Sequence, residues 1–101
     1  MQKVTVEIDA DLQDLVPQFV ENRKKDIESL QHLVATNDMT AIAQLAHKIK
    51  GAAAGYGFNE LSDYAAQMEK ASKTNDRGSL ENLVKGMRTH FLSIEIRYVT
   101  M

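Results

Sequence analysis

Apolar residues at helical spacing, interrupted by three short breaks, constrain the fold of this chain more than any other feature. The breaks read ATND, GYG and KTNDRGS, and they contain the residue types that cap or end helices. The spacing predicts helices over about 17–35, 39–54, 59–73 and from about Leu80 to about Ser93. Because short connections join helices of similar length, we expect an all-α fold, an antiparallel up-down four-helix bundle.

Residues with special backbone preferences support these boundaries. Pro17 suits the first turn of the first long helix, where its missing N–H costs nothing. Asn37 or Asp38 is expected to cap the second long helix. Gly55 or Gly57 can take the left-handed conformation that ends the same helix.

The two ends of the chain alternate apolar and polar residues, which is the period of a half-buried strand. The alternating apolar positions are Val4, Val6 and Ile8 at the start and Ile94, Ile96 and Tyr98 at the end. We expect the two ends to pair as a small ribbon; an extension of the last helix is the alternative for the tail. Asp9 is placed to cap a short N-terminal helix. That helix would contain Leu12, Leu15 and Val16.

Length and composition exclude several classes of protein. A chain of 101 residues is predicted to form one domain over 1–101. Its formal net charge of -2 argues against a nucleic-acid partner, which would call for a basic domain. The lack of cysteine excludes a disulfide framework and fits a reducing compartment. The sequence shows neither a membrane-spanning run nor a signal-peptide core, so we expect a cytoplasmic monomer with no membrane partner.

The second long helix carries a histidine on its outer face. At about 100° per residue, one stripe of this helix is predicted to face the core. The stripe consists of Ile42, Leu45, Ile49, Ala52 and Tyr56. His47 lies nearly opposite its middle, so the imidazole is expected to point toward solvent. The neighbours of His47 on this outer face are small or uncharged: Ala43, Gln44, Gly51 and Ala54.

Gly51 is an unusual residue for an exposed helix position, since it costs roughly 1 kcal/mol relative to alanine. It clears the surface one turn beyond His47, where another protein could approach the imidazole closely. Lys48 and Lys50 add positive charge where an anion attached to the ring would lie. A solvated surface histidine without a chemical role is the alternative interpretation.

The other two histidines, His32 and His90, have no adjacent glycine and no flanking lysine pair. We interpret both as structural or incidental. None of the three histidines forms an i, i+4 pair of the kind that binds zinc on a helix. We therefore expect no metal site.

The segment LAHKIKGAAAGYGFNELSDYAAQME, residues 45–69, resembles the signature of histidine-containing phosphotransfer (HPt) domains of bacterial phosphorelays. The matching positions are His47, Lys50, Gly51, Gly57, Leu61 and Glu69. The resemblance implies a four-helix bundle with an exposed histidine. This histidine would accept a phosphoryl group from an aspartyl phosphate on a receiver domain, or from a kinase, and pass it to another receiver.

The resemblance also implies roles for individual residues. His47 matches the phosphorylated position, and Lys50 and Lys48 would steady the phosphoryl charge. Gly51 would let the active-site loops of the partner approach, on a docking surface with Ala43, Gln44 and Ala54.

Glu69 matches a position on the following helix whose polar side chain can hydrogen-bond Nδ1 of the histidine. Such a bond would leave the Nε2 lone pair free as the nucleophile. The predicted position of His47, far from the core stripe, requires the ring to lean across a helix boundary to reach Glu69. Gln44, one turn before His47, is the rival partner for the ring.

Receiver domains and a sensor histidine kinase are the partners that the resemblance implies. It assigns Mg²⁺ and its carboxylate ligands to the receiver, so the chain is expected to have no cofactor of its own. No Gly-rich phosphate loop or ATP-site motif occurs, which favours a phosphoryl carrier over an enzyme. The alternative function is a non-catalytic helical adaptor that binds a receiver domain or another signalling partner.

Overall fold

The computed structural model describes residues 3–101, which form four long helices and a two-stranded sheet. The helices are α1 (Val16–Ala35), α2 (Met39–Tyr56), α3 (Asn59–Lys73) and α4 (Arg77–Ser93). The strands are β1 (Val4–Asp9) and β2 (Ile94–Val99), and a short 3-10 helix follows β1 at Ala10–Leu12. Within residues 3–101, no helix combines the length and apolar character needed to cross a bilayer.

The ends of α2 show which of the alternative caps the chain uses. Asp38 caps its start, because the carboxylate accepts a hydrogen bond from the backbone N–H of Ala41 at 3.2 Å. Gly57, and not Gly55, lies just past its end, with a left-handed φ of 92°. The helix consequently continues to Tyr56, two residues beyond the predicted end.

The short N-terminal helix is smaller than predicted. Asp9 caps it as expected, accepting a hydrogen bond from the backbone N–H of Asp11 at 2.9 Å. The helix ends at Leu12, however, and Val16 already belongs to α1, with Pro17 in the first turn. The reason is burial: Val16 packs into the core with the rest of α1.

The four helices surround one core. Each helix packs on two others, α1 and α3 both contacting α2 and α4, and the most extensive contact joins α2 to α3. Large side chains that are fully enclosed include Leu30, Ile42, Phe58, Leu61 and Met87. The up-and-down direction expected for neighbouring helices remains a prediction.

The two chain ends pair, as predicted, and the tail does not extend α4, since β2 begins directly after Ser93. The strands run parallel, with Val4 opposite Ile94 and Asp9 opposite Val99. The alternating pattern predicts the strands but does not specify this direction. Ile8 of β1 is fully buried and anchors the sheet to the helical core.

Replacing Gly57 with alanine should lower the free energy of unfolding by about 1–2 kcal/mol, the usual cost of a left-handed conformation for an L residue. An added methyl group would also lie 3.5 Å from Cδ1 of Ile8. Gly55→Ala is the matched control: its methyl group would meet no atom within 4 Å, and alanine should stabilise the helix by up to about 1 kcal/mol. Urea unfolding measures both variants, and equal effects would contradict Gly57 as the residue that ends α2.

Candidate functional site

The buried stripe of α2 is rotated relative to the predicted one. Its fully buried members are Ile42, Ala46, Ile49 and Ala53, whereas Leu45, Ala52 and Tyr56 are only partly buried. At 100° per residue, this moves the centre of the stripe by about 50° toward His47. The pattern of bulky residues misplaces the stripe because small alanines pack deepest where two helices approach closely. His47 therefore lies on a flank of α2 and not opposite the core, although its side chain is 69% exposed.

A carboxylate on α3 faces the imidazole of His47. Nδ1 lies 3.2 Å from Oε2 and 3.4 Å from Oε1 of Glu69, whose side chain is 14% exposed. The structure thus brings the two residues together across the α2–α3 boundary, at hydrogen-bonding distance. Gln44 is exposed, and in the part of the chain that the structure describes it forms no hydrogen bond with the ring.

Two lysines share the carboxylate of Glu69. Nζ of Lys50 donates to Oε1 at 2.8 Å, and Nζ of Lys73 donates to Oε2 at 3.3 Å. The hydrogen bond from Lys50, and secondarily the one from Lys73, lowers the pKa of Glu69 to about 2, against the opposing effect of partial burial. Because the ionised carboxylate can only accept hydrogen bonds, Nδ1 of His47 is the donor in their contact.

Lys73 and Ser62 belong to this region, although the sequence motif does not point to them. The spacing of Glu69 and Lys73, i and i+4 on one helix, is the signal that would have found Lys73. The Ser62 hydroxyl donates to the backbone carbonyl of Lys50 at 3.0 Å and so ties α3 to α2 beside the site. No local pattern marks Ser62, because its partner is a backbone atom of another helix.

Lys48 points away from this cluster. Its Nζ lies 3.8 Å from Oδ1 of Asp26 on α1. The residues of the predicted docking surface are exposed at Gln44, Gly51 and Ala54 and half-buried at Ala43. A methyl group added at Gly51 would meet no atom within 4 Å, so the surface beside His47 is open there.

The other histidines lie apart from the cluster. His32 is exposed on α1, whereas His90 is 7% exposed on α4 with Nδ1 3.3 Å from Oε2 of Glu60. Among residues 3–101, no three histidine, cysteine or acidic side chains are grouped so as to hold a metal ion.

The ion pairs of Glu69 should make the free energy of unfolding depend on pH in the acidic range. Since the folded-state pKa of about 2 lies below the ordinary 4.5, the contribution of Glu69 is present above about pH 4.5 and is lost as the pH falls toward about 2. The difference in unfolding free energy between wild type and Glu69→Gln should therefore shrink across this range. Glu81→Gln, at an exposed glutamate on α4, is the control. A difference that stays constant with pH would contradict the ionised cluster.

Comparison with known protein families identifies the family of this chain. The model of the Hpt domain matches residues 14–95, which contain all four helices and the cluster around His47 and Glu69. No curated protein and no solved structure shows significant similarity to the chain. Since the match covers most of the sequence, this chain belongs to the Hpt domain family, which supports a histidine phosphotransfer role in phosphorelays.

Proposed function

We propose that this protein is a phosphorelay intermediate that carries a phosphoryl group on Nε2 of His47. The contact between Nδ1 of an exposed imidazole and the ionised carboxylate of Glu69 is the observation that carries the proposal. Because Nδ1 keeps its proton and donates a hydrogen bond to Glu69, the available lone pair of the ring resides on Nε2. Nε2 is then a neutral nucleophile without the help of a further base.

The transfer step is an in-line displacement. Nε2 attacks the phosphorus of an aspartyl phosphate on a receiver domain, an N–P bond forms, and the P–O bond breaks with its electron pair leaving on the aspartyl carboxylate. The ring keeps its Nδ1 proton and becomes positively charged, which Glu69 stabilises. The reverse displacement passes the group to another receiver. The receiver supplies Mg²⁺, and this chain acts as a carrier and not as an enzyme.

Lys50 and Lys73 are suited to neutralise the phosphoryl oxygens. The ammonium group of each contacts Glu69. Their side chains are 37% and 66% exposed, so each can turn toward an anion bound beside Glu69. Lys50 also lies one turn from His47 on the same helix. Lys48 contributes positive charge at longer range, because it faces Asp26.

The open surface around His47 is suited to a receiver domain. Gly51 leaves space one turn beyond the ring, and Ala43 and Ala54 are small, so Gln44 is the one long side chain among these four residues. Close approach matters because in-line transfer requires the phosphorus within bonding reach of Nε2. A sensor histidine kinase is the expected upstream source of the phosphoryl group.

The first test uses His47→Gln and a receiver domain phosphorylated by acetyl phosphate. Wild type should acquire acid-labile, base-stable phosphate, His47→Gln should acquire none, and the matched exposed-histidine variant His32→Gln should behave as wild type. Helical circular dichroism should be unchanged, since His47 is exposed. Phosphate on His47→Gln would overturn the assignment. Binding of the receiver without phosphate on wild type would instead establish the adaptor.

Substitution of Gly51 should separate stability from transfer. Gly51→Ala should raise the free energy of unfolding by up to about 1 kcal/mol, since its methyl group meets no atom. Gly51→Gln should be similarly stable but should slow phosphoryl exchange sharply, because its side chain would stand on the docking surface. Thermal unfolding and transfer rates of the two variants provide the measurement. Joint loss of stability and transfer in Gly51→Gln would show that Gly51 serves packing.

A further inference from the structure

Neither outer edge of the β1–β2 sheet is paired with a further strand within the described residues. Across residues 3–101 the sheet contains two strands only. The outer edge of β1 faces the connection between α2 and α3: residues 4–7 line a groove with residues 57–60, and a methyl group on Gly57 would lie 3.8 Å from the carbonyl oxygen of Glu7. No residue of β2 lines this groove.

The side of the sheet that faces the helices is incompletely covered. Ile8 is fully buried, but the other side chains on this face are only partly buried: Val4, Val6, Ile94, Ile96 and Tyr98. Three of these five belong to β2. An added strand beside β2 would cover more of this apolar row and would satisfy the unpaired backbone groups of the edge.

The sequence of β2 is complementary to itself when two copies run antiparallel. A two-fold axis through Ile96 places Glu95 opposite Arg97 of the second copy, and Arg97 opposite Glu95, on the exposed face. On the inner face, Ile94 then lies opposite Tyr98 of the second copy. We propose that β2 pairs with β2 of a second copy of this chain, so that two sheets join into one of four strands.

The charge pattern selects this register and this strand. A two-fold symmetric antiparallel pair must match residues that share a face, so the nearest alternative registers differ by two residues. Those registers place Glu95 opposite Glu95 or Arg97 opposite Arg97, which is unfavourable. In β1 the charged residues are both acidic, Glu7 and Asp9, and give no comparable pairing.

The dimer leaves the phosphoacceptor accessible. The sheet packs at the Gly57 end of α2, and His47 lies ten residues earlier on this helix, about 15 Å along its axis. A dimer would therefore carry two separate His47 sites. The proposed dimer differs from the monomer that we expect from the sequence. The proposal does not depend on the proposed phosphotransfer.

Sedimentation velocity from about 10 µM to about 1 mM tests the proposal, since small interfaces associate in this range. Wild type should dimerise, Glu95→Arg and Arg97→Glu should each be at least tenfold weaker, and the double swap E95R/R97E should recover, because it restores opposite charges. Glu28→Arg, a charge reversal at an exposed position of α1, should dimerise as wild type. A monomeric wild type, or a dimer unaffected by the single reversals, would overturn the proposal.

A single cysteine tests the register. The chain has no native cysteine, and Cα atoms opposite each other in an antiparallel pair lie within disulfide range. Oxidised Ile96→Cys should form a disulfide-linked dimer, whereas Thr5→Cys on β1 should stay monomeric on a denaturing gel. Absence of the Ile96→Cys dimer in a folded variant, judged by circular dichroism, would refute the register. Phosphate uptake by these variants reports on the proposed function separately.

Discussion

The close approach of α2 and α3 is the constraint on which the site depends. Ala46 and Ala53 of α2 and Ala65 of α3 are fully buried, and side chains of this size let helix axes come near one another. Larger residues at these buried positions would disturb the packing that keeps Glu69 within hydrogen-bonding distance of His47. The hydroxyl of Ser62, bonded to a carbonyl of α2, holds the same boundary by a polar contact. The chemistry of the site thus follows from how the core is packed beneath it.

The charged groups around His47 differ in how far they are exposed to solvent. Glu69 is the most enclosed member, and a carboxylate in this position stays ionised because three donors satisfy its two oxygens. The cations and the imidazole around it are more exposed. The arrangement holds Nδ1 of His47 at hydrogen-bonding distance from the carboxylate and places two ammonium groups on the same carboxylate.

The sheet and His47 occupy separate parts of the molecule. β1 and most of β2 lie outside the segment that matches the Hpt domain family, residues 14–95. Ile8 and Phe58 bury the junction between sheet and helices. Because the sheet packs beside Gly57, ten residues from His47, the proposed association there would leave His47 accessible to the proposed partner.

The sequence by itself determined the four helices, the strands at both ends and the exposed histidine, since spacing, caps and breaks are local properties. Asp38 and Gly57 set helix ends through contacts within a few residues. Tertiary structure alone decided the parallel direction of the strands, the rotation of the buried stripe of α2 toward His47 and the position of Ser62 beside the site. The direction of the strands depends on how the four intervening helices bring the two chain ends together. The other two features depend on how closely the helices approach, which follows from the volumes of buried side chains, and a periodic pattern does not encode those volumes.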